Sequence, residues 1–265
     1  MNTEALQSPA ASPMRTLGLT AFGLHLLANL FMLCDHLRGT SMIDAEWLGW
    51  IGRIAFPLFA FLLTEGFVHT RSRRRYCLRL LGAALLSEIP FDLMMTDVVF
   101  NPLCQNVVWS FLLGMGMLSL FARIGALHRP LVRLLLSATV LLCFYLLGFL
   151  LFVDYYGYGM LMIALFYFTR IDRSAQPRLG ICLRMAVQLL VMYWINCEMI
   201  QGLMWEVTLF GLPVNVYKQG FALLALPFVW LYGGRQGQHS PVLRRAFYLI
   251  YPTHLLLFWI LSRFF

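Results

Sequence analysis

Several ionisable residues stand out because they fall inside or at the ends of long apolar runs: Asp35 with its neighbour His36, Arg53, Glu88, Asp92 and His254. An unperturbed imidazole titrates at about 6.5, so His36 can take or give a proton under working conditions. A guanidinium such as Arg53 stays charged and can steady negative charge as it develops on an oxygen. Carboxylates can orient an imidazole or hold an ammonium group. Ionisable groups within apolar spans are costly and mark either function or a buried pair. Gathered around one cavity, this set could support group transfer with a general base, or proton-coupled movement of a solute.

The elements that must position these groups are membrane helices. Of the 265 residues, 60% are hydrophobic and 12% charged, with a mean hydropathy of +0.74. A soluble domain is nearer 45–50% apolar and roughly 25% charged. Apolar runs of about 20 residues place spans at 14–34, 47–69, 76–95, 105–122, 131–152, 156–169, 180–200, 216–232 and 245–263, with 199–212 either extending the seventh or lying re-entrant. The expected fold is all-α, a polytopic bundle of about nine (eight to ten) transmembrane helices. Residues 1–13 read as a disordered cytoplasmic tail and 14–265 as one domain.

Charge sets the orientation. With the N-terminus in the cytoplasm, sixteen of the 20 Lys and Arg residues fall inside, leaving Arg38, Arg53, Lys218 and Arg263 outside. Short loops rich in Lys and Arg stay cytoplasmic, so the C-terminus is expected outside. The same pattern accounts for the net charge of +8 without nucleic acid. The six cysteines have no CxxC and no metal-like spacing, and read as small apolar residues.

This topology gives each polar residue a depth. Asp35 and His36 close the first helix at its outer mouth, and Arg53 enters the second from outside. Glu88 and Asp92, four apart around Pro90, share one face of the third helix in its outer half. Gln105 and Asn106 open the fourth, and Asp154, Tyr155 and Tyr156 form the outer turn between the fifth and sixth. The bland account is that each is merely wet, or that Arg53 neutralises itself on Asp92 or Glu88. Convergence of the whole set on one depth favours a polar cavity. Because adjacent helical residues diverge, Asp35 can orient His36 only if the helix has ended there; otherwise Asp92 or Asp154 is the candidate partner. His254 lies near mid-depth beside Tyr251 and Pro252. Glu65 and His69 lie at the inner end of the second helix, near a run that contains Arg71, Arg73, Arg74 and Arg75. That run suits anionic lipid headgroups, or a clamp for an anionic cytosolic substrate.

Three motifs resemble the TraX family, named after the conjugative F-pilin acetylase. They are Asp35-His36, the stretch from Gly52 through Arg53, Pro57 and Phe59 to Phe61, and Tyr251-Pro252-Thr253-His254. The stretches Ser87–Leu93, Gln105–Val107, Asp154–Gly159 and Phe221–Pro227 are similar to the chromosomal bacterial branch, whereas 171–215 resembles nothing identifiable. The resemblance implies a multi-pass enzyme of the bacterial cytoplasmic (inner) membrane that moves an acyl group, with acetyl-CoA as donor and an amine or hydroxyl on an exported or membrane-associated acceptor. Pilin is the acceptor in the F-pilin case; the match to the chromosomal branch leaves the acceptor here open. Carried over, His36 and Arg53 are catalytic with Asp35 beside them. Glu88, Asp92, Asn106, Asp154, Tyr155 and His254 support them or bind the acceptor, and Glu65, His69, Arg71 and Arg74 are weaker candidates for holding the donor. No metal is implied. The donor is cytosolic while the cluster opens outward, so its arm must thread through or the acyl group must be relayed. The alternative is a proton-coupled small-solute transporter, against which stands the lack of an internal repeat relating two halves.

Overall fold

The structure is a computed structural model that describes residues 18–40, 43, 45–209, 211–238 and 240–264. Helix α1 (Ala21–Gly39) starts on Thr20, whose Oγ1 accepts the Gly23 N–H at 3.1 Å. Helices α2 (Glu46–Gly52) and α3 (Ala55–His69) are interrupted at Arg53-Ile54. Pro57 explains the interruption: it has no N–H to offer the Arg53 carbonyl, and its ring crowds that carbonyl. Helix α4 (Arg73–Thr96) is capped by Ser72, runs through Pro90 and stops on Asp97 in the left-handed conformation. Asn106 caps α5 (Val107–Ile124), its side chain accepting the Val108 N–H at 3.0 Å. Then come α6 (Pro130–Leu150), α7 (Tyr156–Phe168) and α8 (Arg178–Tyr193), which passes into a π-helical turn at Trp194–Ile200. An antiparallel hairpin follows, β1 (Met204–Leu209) and β2 (Leu212–Tyr217), with Leu209 opposite Leu212 and Trp205 opposite Val216. A 3-10 turn (Lys218–Leu224), α9 (Ala225–Trp230) and α10 (Pro241–Leu261) complete the chain.

Three sequence expectations need correction. The first helix continues past residue 34 to Gly39, because the capped start at Thr20 shifts the whole span; Asp35 and His36 therefore lie within the helix and not at its end. The 199–212 stretch neither extends a helix nor re-enters as one. Trp205, Val207 and Leu209 alternate with Glu206 and Thr208, which is the period of a strand, and Gly211 turns the hairpin with φ of +82°. The span expected at 216–232 is thirteen helical residues in two short pieces after the end of β2. The expected tail, 1–13, lies outside the described residues.

Among the described residues, four helical segments are long and apolar enough to cross a membrane: Glu46–His69, Val107–Ile124, Pro130–Leu150 and Arg178–Ile200. Two shorter apolar helices, Tyr156–Phe168 and Arg245–Leu261, join them. Helix α6 shows what surrounds the bundle. Only Gly148 of its 21 residues is buried, while Leu131, Leu134, Leu142, Leu146 and Leu150 are bare. A leucine surface of that extent is stable only against lipid. The chain is a membrane protein.

Helix α3 is the axis of the bundle, with eleven of its 15 residues buried. Contacts of α1 with α3, α3 with α5, α5 with α4, α4 with α10 and α10 with α1 close a ring of five helices. The ring encloses a cavity of about 430 Å³. Helices α6 and α7 pack outside α3 and α5, α8 lies against α7 and α9, and none of the three lines the cavity.

Candidate functional site

The cavity follows α1 and α3 along nearly their whole length. Phe22, His25, Asn29, Met32, Asp35 and His36 line it from α1, and Ala55, Phe59, Leu62, Gly66 and His69 from α3. Both sets step by three or four residues, so each is one helix face. At a rise of about 1.5 Å per residue, fourteen residues correspond to roughly 21 Å, most of a hydrocarbon core. The two ends differ. One holds Glu65, His69, Arg79, Gln236 and Gln238; the other holds Asp35, His36, Asp154 and Tyr155.

At the second end, His36 Nδ1 meets His254 Nε2 at 2.6 Å, with ring planes only 7° apart. His254 is buried on α10, and its Nδ1 lies 2.7 Å from the Ile250 carbonyl oxygen. His36 lines the cavity, with His254 behind it. Asp35, the adjacent residue, points elsewhere and forms an ion pair with the Arg53 guanidinium. Arg53 Nε also donates to the Gly49 carbonyl at 3.3 Å. The interruption between α2 and α3 turns Arg53 to this pair, close enough to act electrostatically on His36. Arg53 itself stands behind Asp35 and is not part of the cavity wall. Asp92 and Asp154, the acids expected to orient the imidazole, and Asp92 and Glu88, the acids expected to neutralise Arg53, do not take those places: His254 and Asp35 fill them.

A tight turn delivers Asp154 and Tyr155. Phe152, Tyr155 and Tyr156 all have positive φ, between 44° and 59°, a conformation costly for bulky residues. It is held by backbone pairing of Gln105 with Phe152 and Asp154, at 2.9 and 3.0 Å, and by the Ser110 hydroxyl donating to the Asp154 carbonyl. The Tyr155 ring stacks on Phe56 at 3.8 Å. Burial pushes the Asp154 carboxyl up to about 6, against the opposing pull of Arg53. Tyr155 also faces Gln219, which donates to Asn196 Oδ1 at 3.0 Å, while Asn196 donates to the Met192 carbonyl at 2.8 Å. Sequence reasoning missed these two amides, although both are polar residues within apolar stretches.

Glu88, Asp92 and Asn106 lie apart from the cavity. Glu88 accepts from Trp109 Nε1 at 2.9 Å and from Asn106, which donates as well to the Ala84 carbonyl at 2.9 Å; Asp92 accepts the Asn101 N–H at 2.7 Å. They tie α4 to α5 and to the connecting loop. Shared depth brought them near the site without turning them into it.

At the opposite end, Arg170 donates to Glu65 at 2.6 Å and reaches His69 Nε2 at 2.9 Å. Glu65 and His69 line the cavity, whereas Arg71 and Arg74 are exposed and lie off it; the arginine on the wall is Arg79. His25, stacked on Phe247 at 5.2 Å, also lines this half and was not singled out from the sequence. Among the described residues, no three His, Cys, Asp or Glu side chains come together as metal ligands.

The family profile described as TraX protein matches residues 23–262, nearly the whole described chain. The chain belongs to the TraX family. The match takes in all five helices of the cavity wall and both histidines of the pair. A TraX-family relative, a probable fimbrial assembly protein named FimC, serogroup H1, from Dichelobacter nodosus, is 28% identical over 255 residues, covering 92% of this chain and 96% of its own length. No solved structure matches this chain.

Proposed function

We propose that this TraX-family chain is an acyltransferase of the bacterial cytoplasmic membrane, moving an acetyl group from acetyl-CoA to an amine or hydroxyl on an exported or membrane-associated acceptor. The observation that carries the proposal is the position of His36: an imidazole on the wall of a membrane-length cavity, backed by a second imidazole and flanked by a fixed guanidinium. The acceptor nitrogen or oxygen attacks the thioester carbonyl. Its C–N or C–O bond forms as the C–S bond breaks, and His36 takes the acceptor's proton and returns it to the departing thiolate. Arg53, immobilised by Asp35 and the Gly49 carbonyl behind the cavity wall, lends fixed positive charge from there to the end of the cavity where the carbonyl oxygen turns anionic. The cavity offers an answer to the sidedness of the donor: with the N-terminus in the cytoplasm, the end at His69 and Arg79 faces the cytosol, and an extended thioester arm reaches His36 through the bundle. The likeness to a probable fimbrial assembly protein favours an acceptor among surface-fibre subunits or the machinery that assembles them.

A second reading, a proton-coupled solute transporter, draws on the same cavity and on its titratable His25, Glu65, His69 and His36. One experiment separates the two. The purified protein in sealed vesicles receives acetyl-CoA labelled in the acetyl group, and label on membrane acceptors is followed. Transfer that disappears in His36→Ala, in a variant that unfolds at the same temperature as the parent, supports the acyltransferase. Solute flux with no acetyl-CoA consumed replaces it with the transporter.

A further inference from the structure

The hydrogen bonds around the two histidines determine where their protons sit. A backbone carbonyl can only accept, so His254 Nδ1, 2.7 Å from the Ile250 oxygen, carries a hydrogen. A neutral imidazole has one N–H, which leaves His254 Nε2 bare. That bare nitrogen lies 2.6 Å from His36 Nδ1, so the hydrogen between them belongs to His36. By the same count, His36 Nε2 carries none. We infer that His254 is the positioning residue of this site: it fixes His36 as the Nδ1–H tautomer and so presents a bare Nε2 as the base.

This rests on the acyl-transfer reading for its consequence, though the tautomer itself does not. The orienting group in many catalytic triads is a carboxylate, which holds the imidazole and offsets its charge. An ionised carboxylate within a lipid-embedded bundle is costly, and here the adjacent one in the chain, Asp35, is already committed to Arg53. A neutral imidazole orients His36 without adding a buried charge. When His36 Nε2 takes the acceptor's proton, the positive charge is shared along the short Nδ1–H–Nε2 bond, and its far end meets the Ile250 carbonyl dipole. The charged and titratable groups facing the pair are Arg53 and Asp35 beside it, Asp154 and Tyr155 from the α6–α7 turn, and Tyr251 on α10, whose ring centre is 6.1 Å from that of His36. Arg53 opposes a second proton, so the pair cycles between zero and one positive charge. Tyr251 places its ring beside that of His36, and among the described residues of α10 His254 is the one that hydrogen-bonds to it.

The test is nitrogen NMR of the full-length protein in lipid, with ring-labelled histidine and His36 assigned by its loss in His36→Ala. Wild type is expected to show His36 protonated on Nδ1 and bare on Nε2. His254→Gln, whose amide oxygen can accept where Nε2 did, retains that tautomer and keeps acetyl transfer within about tenfold. His254→Phe fills the space without an acceptor; it shifts His36 toward the Nε2–H form and cuts transfer by about 100-fold, within the usual range for a general base. A wild-type His36 protonated on Nε2 overturns the inference, as does His254→Phe with tautomer and rate unchanged. If His254→Phe fails to fold, wild type and His254→Gln decide alone. A wild type with the expected tautomer but no transfer of label leaves this assignment standing and removes the acyltransferase reading instead.

Discussion

Asp35 and His36 are consecutive on α1, yet they address different partners on different helices, Arg53 at the α2–α3 break and His254 on α10. Successive helical side chains diverge by about 100°, so one dipeptide delivers two separate contacts. This division has a direct consequence. Asp35→Asn removes half of the ion pair, and with both side chains only about a quarter exposed the expected loss is about 1–3 kcal/mol of stability. It leaves the His36 tautomer untouched, because Asp35 is not its hydrogen-bond partner. Urea unfolding in detergent measures the first effect and nitrogen NMR the second. A tautomer that changes in Asp35→Asn would show that the acid acts on the imidazole after all.

Gly52 is where α2 passes Asp35. A Cβ placed there would lie 2.7 Å from Asp35 Oδ1 and 2.8 Å from its Cα, and the backbone of α1 cannot yield as a flexible side chain can. Gly52→Ala is therefore expected to destabilise by about 1–3 kcal/mol, the usual cost of forcing atoms into a packed contact. It should also weaken transfer, since Asp35 must move away from Arg53. A melting temperature within error of the parent would mean that α1 and α2 separate easily.

The raised carboxyl of Asp154 gives stability a pH dependence of definite sign. Its ordinary value is 3.8 and burial lifts it to about 6 in the folded chain. The folded state thus binds this proton more tightly than the unfolded one. Its contribution is complete below about pH 4, falls as pH rises toward 6, and is gone above that. Asp154→Asn keeps the size and removes the ionisation. Relative to the parent, it should be more stable at pH 7 by up to about 3 kcal/mol and equal to it near pH 4. Unfolding midpoints at several pH values check this; a difference that grows toward low pH would reverse the sign and refute it.

Much of the framework was written in apolar runs long enough to see without a structure, and the polar residues could be ranked by depth along them. What depth could not supply was direction around each helix. Glu88, Asp92, Asp35 and His36 were all expected at one level, but only the last two line the cavity, because α4 turns its acids toward Asn106, Trp109 and Asn101. The partner of His36 lies 218 residues away on α10, and no local pattern marks such a contact. The hairpin was different. Its alternation of apolar and polar residues from Trp205 to Leu209, followed by Gly211, was legible but was outweighed by the hydrophobicity of the preceding helix.

The midpoint of the cavity offers the most direct separation of route from chemistry. Ala83 on α4 lines it between the two ends, and its small side chain leaves room that a larger one would take. Ala83→Trp adds an indole to the passage without touching His36, His254, Arg53 or Asp35. Overpacking costs about 1–3 kcal/mol where the site is full, and less here because the substituent extends into open space. The expected result is at least a tenfold fall in acetyl transfer from acetyl-CoA with the His36 tautomer unchanged. If the donor reaches His36 through the bundle, a short, soluble thioester supplied on the Asp35 side should restore part of the rate by reaching the base from its own end. Restoration places the obstruction in the passage and leaves the base intact. Unchanged transfer from acetyl-CoA would mean that the donor takes another path to His36.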